Sequence, residues 1–289
     1  MGKRKLILYL GICMVVSVIV VLELRTLVGN ASDPLALPQK CLLQPDGYNG
    51  SWSCLSPYFE RITNEVSTSV AMAEARKFKE QKMVSDCHLF AHVIGETSLE
   101  KHNFDTGKAF SSCTFGCSDG CFHGVMERYI RNETDPYSIT SKVKNMCDSV
   151  GTDWVQKRRC VHGVGHGLAG HEYLPIPEAI NVCEAFGSDW AFFCIGGLAM
   201  EGMDQYLAAG LDENNLTKIF QKICTPIEAA GYPSCMTTIT LGLLYHTGYD
   251  VRRTEKLCEQ FPKQEDRDSC KELIPGRIES ENPSIIKGF

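Results

Sequence analysis

The stretch that decides the fold is Cys147-Asp-Ser-Val-Gly-Thr-Asp-Trp154, which returns 36 residues later as Cys183-Glu-Ala-Phe-Gly-Ser-Asp-Trp190. A second cysteine closes each copy, Cys160 in the first and Cys194 in the second. Two further copies of the two-cysteine unit are Cys224/Cys235 and Cys258/Cys270. The chain therefore contains an internal repeat, which is the first feature that a fold prediction has to explain.

The second cysteine of each unit marks the length of the repeat. Through Cys87, Cys121, Cys160, Cys194, Cys235 and Cys270 the steps are 34, 39, 34, 41 and 35 residues. Periods of that length are typical of helix-turn-helix solenoids. Short amphipathic helices are predicted to end at the first cysteines, over residues 141–147, 177–183, 216–224 and 251–258. The sequence predicts an all-α fold, an α-solenoid of about six disulfide-stapled helical hairpins over residues 57–274.

The residues between the two cysteines of a unit predict the turn of each hairpin. Gly151 and Gly187 can end the first helix in the left-handed conformation that glycine adopts without steric cost. The residues that follow, Thr152-Asp153 and Ser188-Asp189, are of the types that cap the start of the next helix.

Cysteine spacing also predicts which residues are bonded. A bridge within one unit closes a loop of about a dozen residues, which contributes about 3 kcal/mol in the chain-entropy model. The predicted bridges are Cys147–Cys160, Cys183–Cys194, Cys224–Cys235, Cys258–Cys270 and, near the N-terminus, Cys41–Cys54. Four cysteines remain, Cys87, Cys113, Cys117 and Cys121. Cys113–Cys121 would match the repeat and Cys87–Cys117 would join two units, but sequence leaves all three pairings open.

One repeat carries a family resemblance. Residues 224–258 include Cys235 and the stretch Leu241-Gly-Leu-Leu-Tyr-His-Thr-Gly248. This stretch resembles the cysteine-rich, tetratricopeptide-like repeat proteins, although Cys235 lies further from Leu241 than in that family. The resemblance implies helical hairpins that form an α-solenoid and implies no activity.

The N-terminus predicts a membrane anchor. Lys3-Arg-Lys5 precedes an apolar run that begins at Leu6, and residues 6–24 are about long enough to cross a bilayer as a helix. The positive-inside rule places residues 1–5 in the cytoplasm and the rest outside. The alternative is a cleaved signal peptide. We expect a stalk over residues 25–56 and a C-terminal tail over residues 275–289.

Two further counts favour a lumenal or extracellular location for the repeats. Besides Cys13 in the predicted span there are 14 cysteines, and that many are typical of an oxidising compartment. Four N-glycosylation sequons follow the span, at Asn30, Asn49, Asn132 and Asn215. A net charge of −6 without a basic patch excludes a nucleic-acid partner.

Histidines cluster in the second helices of the first three units. The pairs and triplets spaced four residues apart are His88/His92/Glu96, His123/Glu127 and His162/His166. Residues four apart share one face of a helix, and equivalent helices of neighbouring repeats lie side by side. We therefore predict a metal site of His88, His92, His123, Glu127, His162 and His166. Its ligands suit zinc, iron, manganese or copper. The alternative is that these histidines are structural.

Glycines support close packing of the same helices. Gly163, Gly165, Gly167 and Gly170 together cost about 4 kcal/mol relative to alanine inside a helix. Such a cost indicates that backbones approach closely or that a ligand needs room. Units four to six lack the histidine pattern and are expected to be scaffold, and His102, His171 and His246 lie outside it.

Two functions follow from these patterns. The first is a metal-dependent hydrolase or oxygenase in which Glu96 or Glu201 acts as acid and base. The second is a non-enzymatic solenoid that binds a protein or peptide on its concave face, with structural histidines.

Overall fold

The computed structural model describes residues 41, 48–84, 86–133, 135–150, 153–171, 174–208, 223–227, 232–247 and 249–281. This part of the chain is all-helical and contains no strand. None of its helices is long and apolar enough to span a bilayer. The predicted cytoplasmic segment, the predicted span at residues 6–24 and most of the predicted stalk lie outside the described residues.

Twelve α-helices and one short 3-10 helix make up the described chain. The first six are α1 Tyr48–Glu65, α2 Thr68–Glu80, α3 His88–Lys101, α4 Thr106–Ser112, α5 Gly120–Arg131 and α6 Pro136–Ser149. The next six are α7 Trp154–Ala169, α8 Ile176–Glu184, α9 Ser188–Ala208, α10 Tyr232–His246, α11 Val251–Cys258 and α12 Gln264–Glu281. The 3-10 helix, Cys117–Asp119, precedes α5.

The helices begin and end where the repeat motif predicts. Asp153 caps α7, because its carboxylate accepts a hydrogen bond from the backbone N–H of Val155. Gly187 follows α8 with a φ of +87°, in the left-handed region where a side chain would be strained. The cap at Asp153 and the left-handed glycine at Gly187 are thus confirmed. Ser188 and Asp189 instead lie inside the first turn of α9, and Gly151 and Thr152 lie outside the described residues.

The second helices of successive units are neighbours in space. Helix α3 packs on α5, α5 on α7, α7 on α9, α9 on α10 and α10 on α12. The shorter helices α4, α6, α8 and α11 each lie against the second helix of their own hairpin. Large apolar side chains such as Ile94, Phe122, Leu168, Leu198 and Phe261 are fully buried between these helices. The order of packing brings the histidine-bearing helices α3, α5 and α7 together.

Seven cysteine pairs lie at disulfide distance, with Cα atoms 5.2 to 5.8 Å apart. Five of them are the pairs that the spacing predicts. For the four cysteines that sequence left open, the structure has Cys87–Cys117 and Cys113–Cys121. The first of these bridges ties the start of α3 to the 3-10 helix before α5, so it links two units.

Two predicted segment boundaries fall inside helices. Helix α1 begins at Tyr48, within the stretch assigned to the stalk, and Leu55 in the same stretch is buried on this helix. Helix α12 continues to Glu281, within the stretch assigned to the tail, and Ile278 is buried on it. Apolar residues that pack therefore extend the helical part beyond residues 57–274 at both ends.

The predicted glycosylation sites differ in what the structure describes. Asn132 is exposed at the end of α5. Asn49 lies in the first turn of α1, and Asn30 and Asn215 lie outside the described residues.

Candidate metal centre

Glycines set the spacing of the helices that build the site. A Cβ atom at Gly124 on α5 would lie 2.0 Å from the carbonyl oxygen of His92 on α3. At Gly197 on α9 it would lie 2.0 Å from the carbonyl oxygen of His162 on α7. Contacts below 3.0 Å are sterically prohibited, so these helices touch through their backbones. The predicted close packing is confirmed, and it places side chains of neighbouring helices within a few ångströms of each other.

The contacts are reciprocal, which fixes the helices from both sides. A Cβ at Gly95 on α3 would lie 2.0 Å from the oxygen of Cys121 on α5, and one at Gly165 on α7 would lie 1.9 Å from that of Cys194 on α9. Between α5 and α7 the neighbour is a side chain instead, because a Cβ at Gly163 would meet Met126.

Four imidazole rings meet where α3, α5 and α7 come together. The ring centroids of His88 and His92 lie 4.5 Å apart, those of His92 and His166 5.1 Å, and those of His123 and His166 4.6 Å. All four side chains are at most 4% exposed. The nitrogens of four imidazoles buried this closely together need hydrogen-bond partners or a bound ion.

The first ligand set consists of His88, His123 and His166, whose ligand atoms lie within 4.8 Å of one another. The Nδ1 atom of His88 lies 2.9 Å from the carbonyl oxygen of Cys117, which fixes the ring and directs Nε2 toward the cluster. Among the described residues, Nδ1 of His123 and Nε2 of His166 are buried without a hydrogen-bond partner. Such nitrogens are costly to bury unless something binds them. This set can hold a metal ion.

The second ligand set consists of His92, Glu127, His166 and Glu201, again within 4.8 Å of one another. Oε1 of Glu127 lies 2.7 Å from Nδ1 of His92 and 3.4 Å from Nδ1 of His166. Oε2 of Glu201 lies 3.3 Å from the same Nδ1 of His166. The two sets share His166, and the second set can also hold a metal ion.

Burial and neighbouring charges separate the protonation states of these groups. Burial, reinforced by His92, holds the pKa of His88 well below its usual range. Burial and His166 do the same to the pKa of His123. For His166, burial lowers the pKa but the carboxylates of Glu127 and Glu201 outweigh it and raise the pKa to about 9. His88 and His123 are therefore neutral imidazoles, the form that ligates metals.

Glu96, predicted as an acid and base, lies outside both ligand sets. Its carboxylate forms an ion pair with the guanidinium of Arg131 on α5. Burial and the nearby Glu127 raise the pKa of Glu96 to about 7 despite this partner. Arg131 also approaches Oε2 of Glu127 at 3.7 Å, so it connects Glu96 to a ligand residue.

His162 was predicted as a ligand but belongs to neither set. Its Nδ1 atom lies 2.9 Å from the carbonyl oxygen of Phe193 on α9, and its ring is only partly buried. The ring still lies close to the cluster, with its centroid 4.8 Å from that of His123. His162 is therefore a neighbour that links α7 to α9.

Unit four, expected to be scaffold, also reaches the cluster. Its helix α9 supplies Glu201 to the second ligand set, where we had predicted an acid and base role for this residue. Glu201 follows Cys194 by seven residues, whereas Glu127 and His166 follow Cys121 and Cys160 by six. The repeat spacing therefore did not indicate that Glu201 occupies a comparable position.

Two of the histidines outside the pattern have structural positions. Nε2 of His171 lies 3.0 Å from the carbonyl oxygen of Glu133, which ties the end of α7 to that of α5. His102 is half-buried at the end of α3. The side chain of His246 lies outside the described part of the chain.

Comparison with protein-family models, with curated proteins and with solved structures found no match. The resemblance of residues 224–258 to tetratricopeptide-like repeats therefore stays a prediction. Any function of this chain has to be argued from its own site.

Proposed function

We propose that this chain is a metal-dependent enzyme whose catalytic ion is bound by His88, His123 and His166. The observation that carries the proposal is the pair of buried, unpartnered nitrogens, Nδ1 of His123 and Nε2 of His166, beside the oriented ring of His88. A bound ion would satisfy both nitrogens at once. Three protein ligands leave a position open for water or substrate, which is the usual difference between catalytic and structural metal sites.

Zinc and the activation of water fit this set best. Neutral imidazoles bind zinc, copper and iron better than they bind manganese. A zinc ion with an open position lowers the pKa of its bound water to about 7 and produces hydroxide at neutral pH. Because the histidines are almost completely buried, the substrate that reaches the ion is small. The proposed reaction is therefore a hydrolysis or hydration of a small molecule.

An oxygenase is the second candidate, and one observation favours it. His92, His166, Glu127 and Glu201 form a group of two histidines and two carboxylates, which includes the ligand types of many non-haem iron oxygenases. The metal that the purified protein contains distinguishes the two reactions, because zinc supports hydrolysis and iron supports dioxygen chemistry.

The non-enzymatic alternative is a module that binds a protein or peptide. Trp154 is 55% exposed and Phe115 is 64% exposed, and the Trp154 ring lies 6.2 Å from that of Trp190. Exposed aromatic residues are common in protein and peptide interfaces. These exposed aromatic residues are the candidate partner contacts of this alternative, which the metal test below distinguishes from the enzyme.

We further propose that the helical hairpins form an α-solenoid outside the cytoplasm, tethered by residues 6–24. Seven disulfides support an oxidising compartment. Exposed Asn132 offers a direct test, because N-glycosylation occurs only on the lumenal side. We expect glycosidase treatment of the cellular protein to lower its apparent mass less in Asn132→Gln than in the wild type. An unglycosylated protein in a glycosylating host would contradict this location.

Metal analysis of the full-length chain tests the enzyme proposal. We expect stoichiometric zinc, copper or iron in the wild type and its loss in His166→Ala. His102→Ala removes an imidazole outside the cluster and is expected to retain the metal. At a thousand times Kd, the ion should increase the free energy of unfolding by about 4 kcal/mol.

A wild-type chain that contains none of these metals, and whose stability none of them changes, would contradict the proposal. Retention of the metal in a folded His166→Ala variant would contradict the ligand assignment.

A further inference from the structure

We propose that the centre holds two ions and that the ring of His166 bridges them, with the second ion bound by His92, Glu127, His166 and Glu201. This inference rests on the proposed function, because the first ion occupies the site of His88, His123 and His166. What it adds is a second metal site with a mixed nitrogen and oxygen ligand set.

His166 has more contacts than one imidazole can satisfy by hydrogen bonding. Its Nδ1 lies 3.3 Å from a carboxylate oxygen of Glu201 and 3.4 Å from one of Glu127. A ring nitrogen carries at most one proton, so it can donate one good hydrogen bond to only one of them. Its Nε2 is buried and has no partner among the described residues. A cation on each side of the ring would satisfy both nitrogens and both carboxylates.

The carboxylate of Glu127 also has close contacts that hydrogen bonding does not satisfy. Its Oε1 lies 2.7 Å from Nδ1 of His92 yet accepts no well-formed hydrogen bond, and the residue is 6% exposed. Atoms bound to one tetrahedral zinc ion at ~2.0–2.2 Å lie roughly 3.3–3.6 Å from each other. The contacts of 3.3 and 3.4 Å around His166 have that spacing, and the 2.7 Å contact would open slightly around an ion.

His92 faces both sites as His166 does. Its Nε2 lies 3.0 Å from Nε2 of His88, a ligand of the first ion, whereas its Nδ1 faces Glu127. The second set is therefore continuous with the first through two rings. Each ring presents one nitrogen to the histidines and the other to the carboxylates.

The charges favour a dication in the second set. Glu127 and Glu201 bring two negative charges to the same nitrogen of His166. The guanidinium of Arg131 lies 3.7 Å from Oε2 of Glu127, but it also pairs with Glu96. A divalent ion between Glu127 and Glu201 balances their two charges. When both ions bind, the protons on Nδ1 and Nε2 of His166 leave to solvent, so that both nitrogens of the ring can ligate.

The two ions have different roles in this arrangement. A bridging imidazole separates them by more than the ~3.5–4 Å found where two ions share one water. The first ion, with three imidazole ligands and an open position, carries the reaction. The second ion fixes the orientation of His166 and adds positive charge beside the first.

Counting ions in the full-length chain tests this inference. The protein is stripped with a chelator, reloaded with Co²⁺ alone, and desalted before metal and protein are measured. We expect about two cobalt ions per chain in the wild type. Glu201→Gln should bind about one, since it alters only the second set, and His123→Ala should also bind about one, since it alters only the first. His162→Ala lies in neither set and should keep two.

Cobalt spectroscopy adds a readout of the bridge. Two ions joined by one imidazolate are magnetically coupled, so we expect a weakened paramagnetic resonance signal per cobalt in the wild type and a full signal in both one-ion variants. One ion per wild-type chain, or two ions without coupling, would overturn the inference and leave the proposed function intact. No bound cobalt at all would overturn both. Circular dichroism of each variant confirms that a lost ion does not reflect a lost fold.

Discussion

Helices α3 to α9 and helices α10 to α12 share the same covalent plan but differ in what they enclose. Each region joins a short helix to a longer one through a disulfide, Cys147–Cys160 in the first and Cys258–Cys270 in the second. In the first region, buried histidines and glutamates lie between helices that touch through glycines. In the second, the interior holds apolar side chains, a hydroxyl pair, Thr247 and Thr254 at 2.7 Å, and one buried carboxylate, Asp266, which accepts a hydrogen bond from the Tyr232 hydroxyl at 2.6 Å.

This difference separates the scaffold from the site. The disulfides and caps recur in both regions, so they establish helical hairpins wherever the motif occurs. The histidines and the glycines that bring backbones into contact are concentrated in the first region. Changes to the shared features should therefore lower the free energy of unfolding by similar amounts in both regions. Metal binding, in contrast, should respond only to changes in the first region.

The largest expected effect comes from removing one disulfide in each region. Cys147→Ala/Cys160→Ala and Cys258→Ala/Cys270→Ala open loops of nearly equal sequence separation, 13 and 12 residues. Each double variant should lose about 3 kcal/mol of unfolding free energy, because both loops constrain the unfolded chain alike. Denaturant titration measures the loss.

Metal content should distinguish these two variants. Only the first loosens α7, which carries His166, so only the first should lose bound metal. Equal metal loss in both would mean that the site depends on global stability and would contradict the separation of scaffold from site.

A smaller effect is expected from glycine substitutions. The Cβ of Gly165→Ala would meet the backbone oxygen of Cys194 at 1.9 Å, so α7 and α9 must move apart. We expect a loss of about 2–3 kcal/mol, together with weaker metal binding.

The matched control for Gly165→Ala is Gly242→Ala on α10. Its new Cβ would meet only the end of the Met203 side chain, which can rotate away. We expect a loss below about 1 kcal/mol and unchanged metal binding. Equal losses in the two alanine variants, measured by thermal unfolding, would show that backbone contact is not what spaces the helices.

The smallest effect is expected from the helix caps. Asp153 accepts from Val155 N–H at the start of α7, and Asp250 accepts from Arg253 N–H at the start of α11. Either aspartate changed to alanine should cost about 1 kcal/mol without release of metal. A metal loss in Asp153→Ala alone would show that the first turn of α7 is part of the site.

The sequence predicted most of the fold because its signals are local. Two cysteines about a dozen residues apart, with a glycine and an aspartate between them, predict the turn of a hairpin wherever they occur. The pairing of Cys87 with Cys117 was different. It joins two units, so it depends on how hairpins pack, which spacing within one unit does not contain.

The site was predicted in part from the spacing of residues along each helix. Spacing along the helices placed His88, His92, His123 and Glu127 in one cluster, but packing divides both pairs: His88 and His123 belong to the first ligand set, and His92 and Glu127 to the second. His162 is a full turn before His166 on α7, but contact with the Phe193 carbonyl takes one of its nitrogens. The orientation of a side chain toward a neighbouring helix depends on tertiary packing.

For Glu201 and Glu96 the sequence signals for their contacts were weak or were overlooked. Glu201 lies one residue out of step with Glu127 relative to the repeat cysteine, so the repeat spacing did not pair the two residues. For Glu96 the overlooked residue was Arg131. It follows Glu127 by four residues on α5, so its guanidinium was available to a carboxylate on the next helix.

The backbone contacts between α3 and α5, and between α7 and α9, bear on which ions the centre accepts. Helices separated by side chains can move apart when a rotamer changes, but a glycine pressed against a carbonyl oxygen leaves no such adjustment. The histidine cluster is therefore held at a fixed spacing within each of these two helix pairs, whereas the interface between α5 and α7 is spaced by side chains such as Met126. An ion bound by His123 on α5 and His166 on α7, as proposed above, would lie across this side-chain-spaced interface, which a change of rotamer can widen or narrow around ions of different radius.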